Sequence, residues 1–530
     1  MYIESIPNRS SPPAILLRES YREGKVVSKR TIANLSKWPP HLIEGFKVLL
    51  QGKAITNIGD LSSKSGKAFG GSWVIKKLAE ELLISKVLGK SKKAMLVMIM
   101  ICGRILTQGS RRHLKFWKDG QAIEEIFGIS DFDEDDLYEA MDWLEERQGD
   151  IEKRLFNLRY KGKIVKLFLY DITSSYLEGQ YNELAEYGYN RDGKKGKKQI
   201  VYGLLTDEEG APIAVEVFKG NTIDSTTVTG QIKKLARRFE VEEVIFVGDR
   251  GMVKKTGIES IDENKWHYIT AITKVQIESL IKQDVLQLEL FDEELVEVED
   301  KGIRYILRRN PVRMEEIRKN RNERIFKIES YCEELNLKLT NKVRSREDVA
   351  LKDLLNKITQ LKLTKIFTVR VKDRRLSLEK NVVLLEELSL LDGCYVIKTN
   401  IKKEELNTEK VHSAYKNLSF VEWAFRTMKT GFLEVRPLYH RKANRTRACV
   451  LIAMFAYMIL HNIFGKCRGL NIPLKALLEK LDQIQTQEIK IAEQWIKVLP
   501  TEFRDDQQDI LDILKIKLPK TISSSVPSKS

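Results

Sequence analysis

An α/β fold is predicted for the central part of this chain by the order of its apolar segments. Two short apolar runs, Ile164–Tyr170 and Val244–Gly248, fit buried strands. Between them, Gln199–Leu205 and Pro212–Phe218 read as a hairpin, and Thr226–Phe239 has the periodicity of an amphipathic helix. The resulting order of strand, strand, strand, helix and strand indicates an α/β domain.

The regions on either side of this α/β part have a different character. The chain begins with a predicted hairpin, Ala14–Arg18 with Val26–Ile32, and continues with segments of helical periodicity. Farther along, long charged helices alternate with short strands, which we interpret as an α+β insertion domain. The predicted boundaries are 1–155 for a mostly helical N-terminal domain, 160–275 and 399–466 for the two parts of the core, 276–398 for the insertion, and 467–530 for a helical C-terminal region with a disordered tail.

The charge of the chain indicates a polyanionic partner. Its 530 residues carry a formal net charge of +16, which favours nucleic acid or an anionic membrane surface. Basic side chains around Trp117 make the N-terminal domain a candidate for DNA binding, although solvated helix ends have the same composition. The apolar run Ala448–Leu460 is shorter than the roughly 20 residues of a membrane span, so we expect a buried helix there.

The cysteines and the N-terminus indicate a cytoplasmic protein. The five cysteines are scattered, with neither a metal-ligand spacing nor a disulfide framework, which fits a reducing compartment. The first residues show no basic start followed by an apolar stretch, so no secretory signal is expected.

Two acidic residues follow the two apolar strands. Asp171 comes directly after the first strand and Asp249 directly after the second. Adjacent strands of one sheet can place such residues a few ångströms apart, where their carboxylates repel one another unless they are protonated or share a cation. An Asp at the end of a strand can equally cap the following turn, and this alternative stays open for each residue.

A third acid, Glu422, belongs to a stretch that favours an uninterrupted helix, Tyr415–Lys429. At about 100° per residue, Tyr415, Glu422 and Lys429 fall almost on one line, with Arg426 beside it. Taken alone, Glu422 with Arg426 is also an ordinary exposed pair at four-residue spacing. Three carboxylates beside cations would suit magnesium, which prefers oxygen ligands.

Together these motifs resemble the DDE transposases of bacterial insertion sequences. Asp171 lies in Leu-Tyr-Asp-Ile-Thr and Asp249 in Val-Gly-Asp-Arg-Gly-Met. The helix is similar to the Tyr-x2-Arg-x3-Glu-x6-Lys signature of one subgroup, which also has a large insertion between the second acid and the Glu. Leu418 stands at the signature Arg position, and we hypothesise that Arg426 substitutes for it.

The resemblance implies a ribonuclease H-like catalytic core interrupted by the insertion domain. It implies Asp171, Asp249 and Glu422 as catalytic ligands of two magnesium or manganese ions. The implied reaction is hydrolysis at the element's ends and attack of the 3′-hydroxyl on target DNA, carried out by a dimer in a prokaryotic cytoplasm at the nucleoid. A metal-dependent nuclease of the same fold, and a non-catalytic DNA-binding descendant, stay open as alternatives.

Phosphate contacts are expected along the signature helix and in two basic tracts. The resemblance implies contact between the DNA backbone and both Tyr415 and Lys429. Each basic tract could also be a solvated charge run. The remaining residues that we expect to bind DNA are Arg426, Lys194, Lys195, Lys197, Lys198, Arg436, Arg441, Lys442 and Arg445.

Overall fold

A computed structural model describes residues 1–9, 11–53, 62–189, 191–250, 266–342, 344–430, 432–491 and 494–519, with positions 252, 258 and 522. The elements up to residue 159 are β1 (Tyr2–Ile6), β2 (Ala14–Glu23), β3 (Val26–Asn34), α1 (Pro40–Leu50), β4 (Ser62–Ala68), α2 (Gly70–Glu81), α3 (Ile84–Leu88), α4 (Lys92–Leu106), α5 (Arg111–Trp117), α6 (Ile123–Phe127), α7 (Glu134–Glu146) and α8 (Gln148–Arg159).

The central elements are β5 (Leu167–Tyr176), β6 (Gln199–Thr206), β7 (Pro212–Phe218), α9 (Asp224–Arg238), β8 (Ile245–Gly248), β9 (His267–Ala271), α10 (Lys274–Lys282), β10 (Val296–Asp300) and β11 (Ile303–Arg309). The remaining elements are α11 (Pro311–Asn341), α12 (Glu347–Gln360), β12 (Phe367–Lys372), β13 (Arg375–Lys380), α13 (Val382–Leu390), β14 (Cys394–Thr399), α14 (Thr408–Lys416), α15 (Leu418–Lys429), α16 (Ala443–Cys467), α17 (Leu474–Asp482), β15 (Gln485–Ile491), β16 (Gln494–Val498) and α18 (Asp505–Leu514).

The chain divides into two compact units. The first comprises residues 1–73, 118–128 and 477–530, and the second comprises residues 74–117 and 129–476. The predicted N-terminal domain is therefore shared between the units rather than forming one body. The physical reason lies in the second unit, where α4 and α7 pack against each other and against α16.

The first unit contains two small antiparallel sheets. Strands β1, β2 and β3 form one of them, in which β2 and β3 make the hairpin expected near the N-terminus. The other sheet has the order β16-β15-β4, so the prediction of a helical C-terminal region is wrong for β15 and β16. These residues become strands because β4, far away in sequence, supplies an antiparallel partner. The predicted disordered tail lies almost wholly outside the described residues.

The second unit is built on a sheet whose described strands have the order β10-β11-β14-β9-β8-β5-β6-β7. Strands β5, β8 and β9 run parallel, and the neighbouring strands on both sides are antiparallel. Strands β10, β11 and β14 come from the range that we assigned to the insertion, because they extend the sheet beyond β9. The segment that leaves the sheet therefore spans residues 311–390, with its own core around Ile328 and Leu354.

Helix α16 fills the middle of the second unit. The apolar run Ala448–Leu460 is buried, as its composition predicts. By length and composition, Ala443–Leu470 is long and apolar enough to cross a membrane, but 78% of its apolar window is buried inside the fold. It packs against α4, α7 and β7, so its apolar surface is covered by other parts of the same chain.

The substitution Gly203→Ala tests how tightly the side chains of β5 pack against β6. A Cβ atom there would lie 2.2 Å from the hydroxyl oxygen of the fully buried Tyr170. Gly203→Ala should therefore lower the free energy of unfolding by about 1–3 kcal/mol, the usual effect of overpacking. Gly230→Ala is the matched control, because a Cβ atom there meets nothing within 4 Å and a helical alanine is favoured by up to about 1 kcal/mol. Equal effects in urea denaturation would contradict the packing described.

Candidate active site

The register between β5 and β8 brings the first two acids to the same level of the sheet. Tyr170 is paired with Gly248 in the parallel ladder. Asp171 follows Tyr170 within β5, and Asp249 follows Gly248, the last residue of β8. The strand does not end at Asp171, as the sequence led us to expect, because β5 continues to Tyr176 along its antiparallel partner β6. Asp171 therefore lies where parallel pairing stops and β5 continues.

Helix α15 carries the third acid. The stretch predicted as one helix is two, since α14 ends at Lys416 and α15 begins at Leu418. Asn417 lies between them, and its side-chain amide donates a 3.0 Å hydrogen bond to the Glu208 carbonyl. Helix α15 packs against β5, so the exposed Glu422 is brought near the strand of Asp171.

The three acids line one cavity of about 610 Å³. Tyr415 also lines it and donates a 3.1 Å hydrogen bond from its hydroxyl to Asp249 Oδ1. Burial, together with the Asp249 charge, raises the pKa of Tyr415 above its usual range, so its hydroxyl keeps its proton. Cations that also line the cavity, and that were not among the expected DNA-binding residues, are Arg250, Lys274, Arg313, Arg321 and Lys416.

Asp171 is the electrostatically strained member of the set. Burial, with the charges of Asp249 and Glu422, raises the pKa of its carboxyl to about 7. The Ile172 N–H, which donates to Asp171 Oδ1 at 2.7 Å, and the charge of Arg191 oppose this rise. A carboxylate disfavoured by burial and by neighbouring acids is the kind of group that a bound cation stabilises in its charged form.

The donor chemistry of the three acids fits a divalent cation of the magnesium type, because all the available side-chain donors are carboxylate oxygens. In the part of the chain that the structure describes, however, no three His, Cys, Asp or Glu side chains are grouped closely enough to hold a metal ion. The acids share a cavity wall without forming a closed ligand set.

A buried acid that the sequence analysis missed holds two of the predicted DNA-binding cations. The Asp192 side chain, only 2% exposed, accepts hydrogen bonds at one oxygen from Lys429 at 3.0 Å and from Arg436 at 2.6 Å. Burial lowers the pKa of Lys429 below its usual value, against the opposing charge of Asp192. Asp192 lies among cations in the Arg191–Lys198 tract, and that isolated acid was the available signal.

The other predicted DNA-binding residues differ in whether their side chains contact other residues of the chain. Arg445 forms a bidentate pair with Asp142, with both contacts at 3.1 Å, and Lys197 pairs with Glu178 at 3.2 Å. Lys194 and Lys198 lie over tyrosine rings. Lys194 and Lys197 are nevertheless exposed, as are Lys195, Arg426, Arg441 and Lys442.

The raised pKa of Asp171 predicts a pH-dependent penalty on stability. The folded protein binds the Asp171 proton more tightly than the unfolded chain does. Protonated Asp171 therefore stabilises the fold below about pH 4, and this stabilisation is lost as the pH rises towards 7. In EDTA at pH 8, Asp171→Asn should therefore be more stable than the parent by a few kcal/mol, at about 1.4 kcal/mol per pKa unit. Urea denaturation at pH 4, 6 and 8 measures this difference. Asp353→Asn, at an exposed position, is the control, and a gain that does not change with pH would contradict the assignment.

Removing the charge of Asp192 should destabilise the fold strongly. Asp192→Asn leaves Lys429 and Arg436 without their buried carboxylate, which costs about 3–5 kcal/mol in comparable pairs. Asp142→Asn is the control, because the more exposed pair with Arg445 should contribute about 1 kcal/mol or less. Thermal and urea unfolding compare the two variants. Adding Lys429→Met to Asp192→Asn should restore part of the loss, and similar effects of the two single substitutions would refute the analysis.

Comparison with known proteins identifies the family of this chain. The family model described as "Transposase DDE domain" matches residues 166–459, which is more than half of the chain. The model described as "IS1634 family transposase, N-terminal domain" matches residues 3–60. No curated protein sequence matches.

Solved structures with some similarity to this chain include two transposase complexes. A cryo-EM structure of the piggyBac transposase synaptic complex with hairpin DNA has 10% identity and a TM-score of 0.35, covering 87% of this chain and 84% of that chain. A crystal structure of the Mos1 strand transfer complex has 14% identity and a TM-score of 0.15, covering 31% and 58%. TM-scores of this size do not establish a shared fold. On the family matches, this chain belongs to the DDE transposases of insertion sequences.

Proposed function

We propose that this chain cuts DNA at the ends of its insertion sequence and joins the 3′-hydroxyl ends to target DNA by phosphoryl transfer with two divalent ions. The observation that carries the proposal is the shared cavity lined by Asp171, Asp249 and Glu422, with cations on the same wall. The membership of the DDE transposase family supports the same activity.

The strand order supports a ribonuclease H-like core within the second unit. Three antiparallel strands, β7-β6-β5, are followed across the sheet by β8 and β9, which run parallel to β5. We propose that this is the catalytic core and that residues 311–390 are the insertion. The similarity to the Tyr-x2-Arg-x3-Glu-x6-Lys subgroup is part of the proposal, with Tyr415, Glu422 and Lys429 at the matching positions.

Asp171, Asp249 and Glu422 would hold magnesium or manganese. The chemistry supplied by such ions is polarisation of the scissile phosphodiester and activation of the attacking hydroxyl. The protein itself orients Asp249 through the Tyr415 hydroxyl and the Arg250 N–H, which donates to Asp249 Oδ1 at 2.6 Å. Two fixed donors on one carboxylate oxygen leave the second oxygen available to a ligand.

Cations around the cavity would position the DNA backbone for in-line attack. Arg250, Lys274 and Lys416 line the same cavity as the acids, so they could bind phosphates on either side of a scissile bond held at the acids. Both hydrolysis and strand transfer are displacements at phosphorus, and one site can therefore serve both. Arg426, which is exposed one turn after Glu422, takes the place of the signature Arg in this proposal.

We propose double-stranded DNA as the partner, with the chain acting as a homodimer that holds two element ends. The net charge of +16 favours this partner. The exposed cations Lys195, Arg441 and Lys442 would contribute to non-specific binding. Such a protein would work in a prokaryotic cytoplasm at the nucleoid.

Substitutions of the three acids test the site. Asp171→Asn, Asp249→Asn and Glu422→Gln should each lower cleavage of element-end DNA by more than about 100-fold, since even the loss of a residue that only hydrogen-bonds to a metal ligand lowers activity about 10–100-fold. DNA binding should be retained. Glu404→Gln, at an exposed position away from the cavity, is the matched control. Any acid whose replacement leaves the cleavage rate unchanged is removed from the site.

The reaction itself is tested by incubating the full chain with linear DNA that carries the terminal repeats and a labelled 3′ end. With magnesium or manganese we expect cleavage followed by joining of the label to a second DNA, and neither in EDTA. Cleavage without joining would instead identify a nuclease. Binding without cleavage would identify a non-catalytic DNA-binding protein.

A further inference from the structure

A second cavity, of about 460 Å³, lies in the second unit and brings together two basic segments that are far apart in sequence. One segment runs from the end of α4 into α5, and the other precedes α16. Glu434 is the acidic residue among those that line the cavity. The cationic or potentially cationic residues are Arg104, Arg111, Arg436, His440, Arg441, Lys442 and Arg445.

Two arginines on the wall of this cavity are deeply buried. Arg104 is 7% exposed and Arg111 is 3% exposed. Neither guanidinium is paired with a carboxylate of the described residues. Both donate to the Cys449 sulfur, at 3.6 Å from Arg104 and 3.9 Å from Arg111. Arg111 Nε also donates to the Met141 sulfur at 3.5 Å, whereas Arg104 Nε is buried without a hydrogen-bond partner. Buried guanidinium groups are normally paired with an anion, so these two arginines carry positive charge that no described carboxylate balances.

The pKa of Arg111 is consistent with buried positive charge that lacks a balancing anion. Burial lowers the pKa of Arg111 to about 10, and the like charge of Arg104 adds to the effect. Arg436 and Arg445, which also line the cavity, have carboxylate partners in Asp192 and Asp142. The positive charge that is not balanced by carboxylates is therefore concentrated at the buried pair.

Cys449 accounts for only part of this charge. Burial opposes ionisation of its thiol, but His440, Arg104 and Arg111 lower the pKa of Cys449 to about 5. Even an ionised Cys449 would balance only one of the two buried guanidiniums. The second guanidinium, with Arg441 and Lys442 at the rim, leaves the cavity positive.

We propose that this cavity, which we call the Arg104–Arg111 pocket, binds a phosphate group of DNA outside the candidate active site. Guanidinium groups donate to phosphate oxygens through paired N–H groups, and a cavity of this volume accommodates a phosphate together with its sugar. The inference rests on the proposed function in taking DNA as the source of the phosphate.

The pocket is connected to the signature helix α15. Arg436 lines the pocket and shares the Asp192 carboxylate with Lys429, the last residue of α15. A phosphate bound by Arg436 in the pocket is therefore connected through Asp192 to Lys429 of α15, the helix that carries Glu422. DNA held here would be anchored to the same structure that presents the third acid.

Ser110 offers a test that does not disturb the buried arginines. Its side chain lies on the pocket wall, is exposed, and accepts a 3.1 Å hydrogen bond from the His113 N–H at the start of α5. Asp and Asn both make this capping bond as well as Ser does. Ser110→Asp therefore adds a negative charge that competes with phosphate, and Ser110→Asn is a neutral control of the same shape.

The experiment uses the full chain in EDTA, so that no cleavage occurs. In the first arm, thermal unfolding is followed in potassium phosphate and in potassium chloride of equal ionic strength. In the second arm, binding of a duplex that carries the terminal repeats is measured by fluorescence anisotropy at several salt concentrations. Circular dichroism establishes that both variants fold as the parent does.

The parent and Ser110→Asn should be stabilised by phosphate, and Ser110→Asp should lose that stabilisation. The slope of log Kd against log salt should fall by about one for Ser110→Asp alone, as expected for one lost phosphate contact. An unchanged slope would overturn the proposal, even if free phosphate still stabilises the protein. Failure of the proposed function would look different, because all forms would then bind DNA with the expected slopes but cut none of it when magnesium is added.

Discussion

The parallel pairing of β5 with β8 is the constraint on which the candidate active site depends. Because Tyr170 is opposite Gly248, Asp171 and Asp249 emerge at the same level of the sheet. A shift of one residue in this register would turn one of the two side chains to the other face. Helix α15 then adds Glu422 by packing its apolar side against β5, so one ladder and one helix contact position all three acids.

Uncompensated charge in buried places marks the parts of this molecule that we connect with ligands. Asp171 is half-buried beside other acids, and Arg104 and Arg111 are buried beside each other. Each arrangement is unfavourable in a medium of low dielectric constant unless an ion of opposite sign is present. A cation at the first place and a phosphate at the second would remove both penalties. Asp192, by contrast, is compensated within the protein by Lys429 and Arg436.

The predicted DNA-binding cations show that a sequence does not reveal which of its charged residues form ion pairs. A run of Lys and Arg reveals net charge, but not which members are neutralised by acids from elsewhere in the chain. Lys429 and Arg436 are held by Asp192, and Arg445 by Asp142, through pairs separated by hundreds of residues. Arg426 and Lys195 are exposed instead. Only the fold distinguishes these groups, because ion pairing depends on distance in space.

The sequence by itself determined the elements with strong local signals. Apolar runs located β5, β8 and α16, and the uninterrupted stretch Tyr415–Lys429 indicated the helical segment that contains α15. Their motifs singled out Asp171, Asp249 and Glu422 as candidates, and these three acids line one cavity. Tertiary structure decided what depends on partners distant in the chain. It made strands of β15 and β16, extended the sheet with β10, β11 and β14, and joined Arg104 and Arg111 to the segment before α16. Strand pairing and charge burial depend on residues that are neighbours in space, and the local sequence does not identify these neighbours.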